Sequence, residues 1–315
     1  MEIVSIAVIK LSLIAFLGFC LYRRSVLSEQ ALKFLSFFIV NVTMPFLIFS
    51  SLVSNSTIVA TRPIWIFVLI SVVIFGVGYL LGLAVSLRRS HEFKKEFIGM
   101  VSFQNGGYLP MNIAFFLFPA GIREEFLVYI FLYLFGFNII FWSVGSFFVF
   151  KNKGDRFKLR SIFTPPILST ILALLFVYTN TVNFLPGILL DPLRMVGETS
   201  FVFSAIILGC WLAKIKPKGI FSKLFIASEA GILKLFIMPA IFLSVLLGFN
   251  ISSLLGMFVI LQASMPSAVS LPIIADLRGG DSEFASQGVF LTNIASMITI
   301  PLWVGLYLKL TGFSF

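Results

Sequence analysis

Ten apolar segments, each about as long as a lipid bilayer is thick, constrain the fold of this chain more than any other feature. A helix needs about 20 apolar residues to cross the roughly 30 Å of hydrocarbon, and there its backbone must satisfy its own hydrogen bonds. Charged residues make up only 11% of the chain, whereas a soluble domain has about 25%. We therefore predict an all-α membrane protein with ten transmembrane helices. The segments cover residues 3–22, 31–54, 63–87, 96–118, 126–150, 162–180, 197–213, 223–248, 252–275 and 284–310.

The positive charges are divided unequally between the two ends of these segments. Seventeen of the 23 Lys and Arg residues lie in or beside the first, third, fifth, seventh and ninth gaps. The opposite ends carry only Arg62, Arg123, Arg194 and Lys309. Because Lys and Arg are enriched on the cytoplasmic side, we expect a multi-pass protein of the inner cell membrane with both termini on the non-cytoplasmic side. The basic residues form no single patch, so nucleic acid is not an expected partner.

The longest basic gap, residues 151–161, divides the chain into two halves of five predicted helices each. We expect residues 1–150 and 162–315 to be five-helix repeats, joined by 151–161 as a cytoplasmic linker. The second repeat would start from the opposite face of the membrane, which makes the repeats inverted, as in many transporters. Matching pairs of residues recur 22 positions apart in the two halves, Gln104 with Phe126 and Gln262 with Phe284.

The fourth and ninth segments contain the residues that most disturb a helix. They read Gln-Asn-Gly-Gly-Tyr-Leu-Pro-Met-Asn over 104–112 and Gln-Ala-Ser-Met-Pro-Ser-Ala over 262–268. Proline breaks or kinks a helix, and broken helices inside a bilayer line protein or watery cavities. The N-terminus of a half-helix offers partial positive charge and free N–H groups to an anion. We predict that these paired interruptions bind the substrate of a transporter, through Asn105, Gly106, Gly107, Tyr108, Pro110, Asn112, Met265, Pro266 and Ser267.

Lys234 lies near the middle of the eighth segment. A central lysine costs roughly 3 kcal/mol on insertion, so it should face protein or water. We predict that it helps to bind an anion; the alternative is a structural lysine paired with a backbone carbonyl or with Glu229. No Asp or Glu lies at the centre of the fourth or ninth segment, so neither a metal ion nor another cofactor is expected. Asn41, Thr43, Asn138, Gln262 and Asn293 would line a pathway or join helices by hydrogen bonds.

Several short motifs occur in a characteristic order along the chain. They are Asn-Val-Thr-Met-Pro-Phe-Leu-Ile-Phe-Ser-Ser-Leu over 41–52, Asn105-Gly106-Gly107-Tyr108, Thr164-Pro165-Pro166-Ile167, Leu233-Lys234-Leu235 with Pro239, Met265-Pro266-Ser267-Ala268, Asp281, Ala285-Ser286 and Thr299-Ile300-Pro301-Leu302. Together, over nearly the whole chain, the sequence resembles the auxin efflux carrier family, which includes plant PIN and PIN-like proteins and bacterial organic-acid permeases. Order and spacing carry the resemblance more than any single motif.

What the resemblance implies is a fold of two inverted five-helix repeats in which helices 4 and 9 are broken and cross. Helices 1, 2, 6 and 7 would form a scaffold that forms a homodimer, and helices 3–5 and 8–10 a mobile transport domain. Transport would be elevator-like. Many family members have Gly-x-Pro after the aromatic residue of helix 4, whereas this chain has Pro110-Met111-Asn112, closer to the PIN-like branch.

These features predict a secondary transporter of a small organic anion, most simply a carboxylate, whose other partners are the lipid bilayer and a second copy of the chain. The alternatives are a sodium-coupled symporter with a bile-acid-transporter-like fold, or a channel or sensor built from the same helices. An enzyme is not expected. The only histidine, His91, lies in a charged loop, and Gly279-Gly280-Asp281 does not complete the Gly-x-Gly-Asp motif of intramembrane aspartyl proteases.

Overall fold

The computed structural model describes residues 2–87, 93–150, 162–214, 220–251 and 253–314. The predicted linker 151–161 and His91 lie outside these described residues. Within them the chain is helical, without a β-sheet. The α-helices are α1 (Glu2–Arg23), α2 (Glu29–Phe38), α3 (Met44–Ser54), α4 (Ser56–Thr61), α5 (Ile64–Ser86), α6 (Lys94–Ser102), α7 (Tyr108–Leu117), α8 (Ala120–Ile139), α9 (Gly145–Phe150), α10 (Pro165–Tyr178), α11 (Gly187–Lys214), α12 (Ile220–Ile232), α13 (Met238–Gly248), α14 (Leu254–Ala263), α15 (Leu271–Leu277) and α16 (Ser282–Thr311).

Seven helices of the described chain are long and apolar enough to cross a membrane. They are Glu2–Arg23, Glu29–Ser54, Ile64–Ser86, Ala120–Phe150, Gly187–Lys214, Phe225–Gly248 and Ser282–Thr311, and each coincides with one of the ten predicted segments. The other three segments contain shorter apolar helices, Tyr108–Leu117, Pro165–Tyr178 and Leu254–Ala263. Two of these three are shortened because the helix is interrupted where glycine or proline was expected to break it. The chain is therefore a multi-pass helical membrane protein.

Three of the long helices contain one π-helical turn each, over Ile39–Thr43, Ile140–Val144 and Leu233–Ile237. The first and third end just before a Met-Pro pair, at Pro45 and Pro239. Proline has no N–H to donate four residues back, and the wider π turn accommodates this missing bond. The carbonyl that Pro239 leaves free, on Leu235, accepts a 2.7 Å hydrogen bond from Trp303 Nε1. A helix irregularity thus fixes the packing of α16 against the eighth predicted segment.

The helices pack as two groups. In the first, α1 lies along α11, and α3 packs between α10 and α11. In the second, α5 packs against α6 and α8, and α16 packs against α12, α14 and α15. The groups meet where α1 contacts α7 and α16, where α11 contacts α7, and where α8 contacts α3 and α10.

The contact between α1 and α11 is close enough to require glycine. A Cβ at Gly209 would collide with the carbonyl of Ala15. One residue further, Cys210 Sγ donates to the carbonyl of Gly18 at 3.2 Å. Small residues at helix contacts are the usual means of close packing in membranes, where no water is displaced to drive association. The first group is therefore held by backbone proximity.

Candidate functional site

Two interruptions of helical structure lie against each other. The first break, residues 103–107, separates α6 from α7, and the second break, residues 264–270, separates α14 from α15. The two segments form an antiparallel bridge between Gln104 and Ser267. Asn105 N donates to Pro266 O at 2.8 Å, and Ala268 N donates to Phe103 O at 3.0 Å. Each break thereby satisfies backbone groups of the other, as an apolar environment demands.

Buried side chains complete this pairing. Gln262 Nε2 donates to Gly106 O at 3.1 Å, and the amide of Gln104 contacts the hydroxyl of Tyr133. Ser267 Oγ donates to Met100 O at 2.7 Å. These four polar side chains are buried, so their hydrogen bonds to protein groups take the place of hydrogen bonds to solvent. The breaks are built as a defined structure rather than as loosened helix.

A central cavity of about 280 Å³ lies beside the first break. Asn105, Gly106, Gly107 and Tyr108 form part of its wall, and two π-helical turns contribute more of it. Its polar side chains are amides and hydroxyls, and none of its lining residues is Asp, Glu, Lys, Arg or His. The remaining lining residues are Val40, Asn41, Met44, Gln104, Leu134, Phe137, Asn138, Phe141, Trp142, Thr164, Pro165, Pro166, Ala268, Val269 and Ser270.

The central cavity continues towards one end of the molecule. An adjoining cavity of about 200 Å³ shares Asn105, Tyr108 and Trp142 with it and is also uncharged. A larger space of about 740 Å³, the lysine-side vestibule, shares Trp211 with the adjoining cavity and reaches Lys214. At the other end, an arginine-side pocket of about 170 Å³ shares no residue with these three spaces. Among these four spaces, the central cavity thus shares walls, through the adjoining cavity, with the lysine-side vestibule and not with the arginine-side pocket.

Hydrogen-bond donors are available at the first break. Asn105 is 5% exposed, and its Nδ2 has no hydrogen-bond partner among the described residues. α7 begins beside it at Tyr108, after Gly107, and no side chain caps this helix N-terminus. The first N–H groups of a helix are unpaired and lie at the positive end of its dipole. This end of the cavity offers N–H donors without a full positive charge.

The predicted site residues fall into two sets. Asn105, Gly106, Gly107 and Tyr108 line the central cavity. The others are buried behind it and line none of the four spaces described: Pro110, Asn112, Lys234, Met265, Pro266 and Ser267.

The buried set supports the breaks and the contact between the two helix groups. Asn112 Nδ2 donates to Tyr108 O at 2.8 Å and to Ser204 Oγ, on α11, at 2.9 Å. Pro266 and Ser267 hold the paired segments, as described above. For Asn112 and these residues a direct role in substrate binding stays a prediction.

Lys234 is fully buried, and its Nζ donates to Val101 O at 3.1 Å, with Met238 Sδ at 3.7 Å. Val101 lies in the last turn of α6, where helix carbonyls are unpaired and the dipole is negative. Of the interpretations drawn from the sequence, the pairing with a backbone carbonyl is present. A direct contact with substrate stays a prediction, since Lys234 lines none of the cavities described.

Sequence reasoning missed several lining residues of the central cavity. On the second break the wall is made by Ala268, Val269 and Ser270, directly after the predicted Met265-Pro266-Ser267. Phe141 and Trp142 reach the cavity because a π turn rotates them there. In the other two π turns a proline two residues after the turn is the signal in the sequence, and no proline stands at that position after Ile140–Val144. Asn41 and Asn138, expected to line a pathway or to join helices, do line the cavity.

A helical chain with seven membrane-spanning candidates and a polar cavity at two paired helix breaks has the form of a membrane transporter. The family model described as membrane transport protein matches residues 3–304. The chain belongs to this family, the auxin efflux carrier family, and is one of its membrane transporters. The resemblance drawn from the motifs is confirmed.

Two archaeal relatives are similar over nearly their whole length. An uncharacterized transporter of Methanocaldococcus jannaschii is 25% identical over 297 residues, which are 88% of this chain and 90% of that protein. An uncharacterized transporter of Methanothermobacter thermautotrophicus is 28% identical over 306 residues, which are 94% of this chain and 96% of that protein. Membership of a transporter family implies a transport role rather than an enzymatic one.

Proposed function

We propose that the protein moves a small organic monoanion, most simply a monocarboxylate, across the membrane. The observation that carries this proposal is the unpartnered Nδ2 of buried Asn105 beside the uncapped N-terminus of α7. A carboxylate placed there accepts hydrogen bonds from an amide and from helix N–H groups, which is a common arrangement for anions. The donor would otherwise stay unsatisfied, at a cost of about 1–3 kcal/mol.

The uncharged wall favours one carboxylate over two. A carboxylate that leaves water must be hydrogen-bonded or paired with a cation. The donors at Asn105 and the α7 N-terminus serve one such group. Elsewhere the central cavity presents apolar and aromatic side chains, among them Leu134, Phe137 and Trp142, together with neutral amides and hydroxyls and no charged side chain. A second carboxylate would meet these without a cation, whereas an apolar body would be buried favourably.

The packing of the helices supports an elevator-like mechanism. In this proposal the protein has ten transmembrane helices in two inverted repeats, 1–150 and 162–315, with helices 4 and 9 broken and crossing. The first helix group, with α1, α3, α10 and α11, is the scaffold, and it dimerises with a second copy. The second group carries the paired breaks and moves as the transport domain. The hydrogen bond from Asn112 to Ser204 joins the two and would have to break in each cycle.

The proposed orientation assigns a state to this structure. The Lys- and Arg-rich gaps are cytoplasmic by the charge distribution, which places both termini outside. The cavities that reach Lys33 and Lys214 then lead to the cytoplasm. On the opposite side, Arg194 on α11 contacts Glu124 on α8 at 3.8 Å, between the two helix groups, and Glu198 on its own helix at 3.0 Å. The structure would therefore correspond to an inward-facing state.

Ligand-dependent melting tests the substrate class. The melting temperature of the purified protein is measured with acetate, butyrate, hexanoate, succinate and citrate, each with and without sodium. A ligand that binds only the folded state adds about 2.7 kcal/mol at 100 times its dissociation constant. We expect saturable shifts with a monocarboxylate and none with the di- and tricarboxylates. A larger shift with succinate or citrate would overturn the monoanion proposal, and a shift that requires sodium would favour the sodium-coupled symporter.

Flux in proteoliposomes tests the transporter mechanism separately. Uptake of the stabilising monocarboxylate should saturate with concentration, and unlabelled compound loaded inside should accelerate entry of the labelled one. Both follow if one site alternates between the two faces. A flux that rises linearly with concentration, without acceleration by internal substrate, would indicate a channel.

A further inference from the structure

The lysine-side vestibule contains unfilled hydrogen-bond acceptors. Gln287, on α16, is 3% exposed, and its Oε1 has no hydrogen-bond partner among the described residues. Ser36 Oγ, on α2, is likewise buried without a partner among them, and its hydroxyl can accept as well as donate. Both residues line this space. A buried acceptor without a donor calls for a water molecule, an ion or a ligand.

Two carboxylates lie on the same wall as Gln287. Asp276 lies in the last turn of α15 and lines the vestibule. Glu283 precedes Gln287 by one turn of α16, so these two side chains lie on the same helix face and line the same space. Neither side chain forms an ion pair or hydrogen bond with any residue in the described ranges. The α15 and α16 wall therefore presents negative charge and acceptor oxygens.

The positive charges of the vestibule are already occupied. Lys33 Nζ lies 3.2 Å and Lys214 Nζ 2.8 Å from Glu29 Oε1. Lys214 Nζ also lies 5.0 Å from the ring centroid of Trp211. The two lysines and Glu29 form one cluster on the α2 and α11 wall. Among the described residues that line the vestibule, Asp276, Glu283 and Gln287 Oε1 remain able to accept hydrogen bonds and to bind a cation.

We propose that the lysine-side vestibule is a binding site for a primary amine with a short apolar body. The ammonium group donates to the carboxylates of Asp276 and Glu283 and to Gln287 Oε1. The apolar body lies against Trp211, Pro272 and Ile273, which line the same space. An ammonium group fits because it carries charge and three donors, and the volume of about 740 Å³ holds an organic cation rather than a bare ion.

The site differs from the central cavity because it carries carboxylates, whereas the lining of the central cavity is uncharged. At Asn105 the atom without a partner among the described residues is a donor, whereas at Gln287 it is an acceptor. The two ligands therefore require different residues. The amine would also lie between the α2 and α11 wall and the α15 and α16 wall. If these walls approach during transport, a consequence that rests on the proposed function, the bound amine keeps them apart and inhibits flux from the lysine side.

Melting of the full-length purified protein with n-hexylammonium chloride tests the site. We expect a saturable increase of the melting temperature, with an apparent dissociation constant raised at least tenfold in Asp276→Asn/Glu283→Gln. These substitutions keep the shape of exposed side chains and remove their charge. Asp191→Asn, an exposed carboxylate outside the vestibule, is the matched control and should bind the amine as the unaltered protein does. Gln287→Leu should weaken binding of the amine and leave binding of the monocarboxylate unaffected.

Two comparisons separate this site from other effects. Hexan-1-ol has the same alkyl chain without the charge and is the control ligand. If hexan-1-ol raised the melting temperature as much as the amine, the ligand would bind through its alkyl chain alone and the proposal would be overturned. The same conclusion would follow if the amine raised the melting temperature of Asp276→Asn/Glu283→Gln as much as that of the unaltered protein. Asn105→Ala should retain amine binding while losing the monocarboxylate. If the amine binds and no carboxylate does, the proposed function fails and this site stands; the reverse result refutes this site alone.

Discussion

Asn105 and Asn112 lie seven residues apart on the same segment, and their hydrogen bonds predict opposite effects of the same substitution. The side chain of Asn105 has an unpartnered Nδ2 in the cavity wall, while its backbone N–H is bonded to Pro266. Asn112 Nδ2 is bonded twice, to Tyr108 O and to Ser204 Oγ. Asn105→Ala should therefore weaken substrate binding, whereas Asn112→Ala should lower the stability of the folded protein.

The magnitudes follow from what each side chain contacts. A hydrogen bond to a charged group contributes about 1.5–3 kcal/mol, so loss of the Asn105 donor should raise the dissociation constant of the monocarboxylate about 10- to 150-fold. The ligand-free protein should melt no lower than before, because a buried unpartnered group has been removed. Asn112→Ala leaves two acceptors without that donor and should cost about 1–2 kcal/mol of unfolding free energy.

Both quantities come from one experiment. Each variant is melted across a titration of the monocarboxylate that stabilises the unaltered protein, which gives the ligand-free melting temperature and the apparent affinity together. The reasoning would be refuted if Asn105→Ala lowered the ligand-free melting temperature and left the affinity unchanged. It would fail equally if the Asn112→Ala protein were as stable as the unaltered one.

Three further substitutions test the packing. Gly209→Val should lower the melting temperature, because the new side chain meets the α1 backbone and overpacking costs about 1–3 kcal/mol. Gly76→Val is the control: a Cβ there meets nothing within 4 Å, so its melting temperature should stay close to that of the unaltered protein. Trp303→Phe removes the donor to the Leu235 carbonyl that Pro239 leaves free, and should cost about 1–3 kcal/mol, measured by thermal or denaturant unfolding. Glu96→Leu removes the acceptor that Asp281 N contacts at 2.7 Å, and should cost a similar amount; an unchanged midpoint would show that this loop finds another partner.

Much of the helical framework could be predicted because the length of each apolar segment can be counted from consecutive residues in the sequence. The interruption between 103 and 107 follows from Gly106-Gly107 and Pro110, and α10 begins at Pro165 as a proline-led helix should. The donors at the α7 N-terminus could be predicted for the same reason. These features depend on residues that are adjacent in the chain, so a single sequence is enough to predict them.

What could not be predicted depends on contacts between distant residues. No local signal states that Asn105 N will bond to Pro266 O, or that the pairing turns the lining of the second break to Val269 and Ser270. Lys234 illustrates the same limit. A lysine in an apolar segment must find a partner, but the choice between a ligand and the Val101 carbonyl is made by how α6 packs against the eighth segment.

Because of the three π-helical turns, the fold depends on the exact number of residues in these helices as well as on which residues they are. Each residue in an α-helix advances the direction of its side chain by about 100°, so deleting one residue from Ile39–Thr43 would restore a regular helix and rotate Glu29–Phe38 by that angle relative to Met44–Ser54. Ser36 and Lys33 would leave the vestibule wall, and Val40 and Asn41 the central cavity. Single-residue insertions and deletions should therefore be tolerated in the gaps between helices and rejected inside these turns, even where every remaining residue is kept.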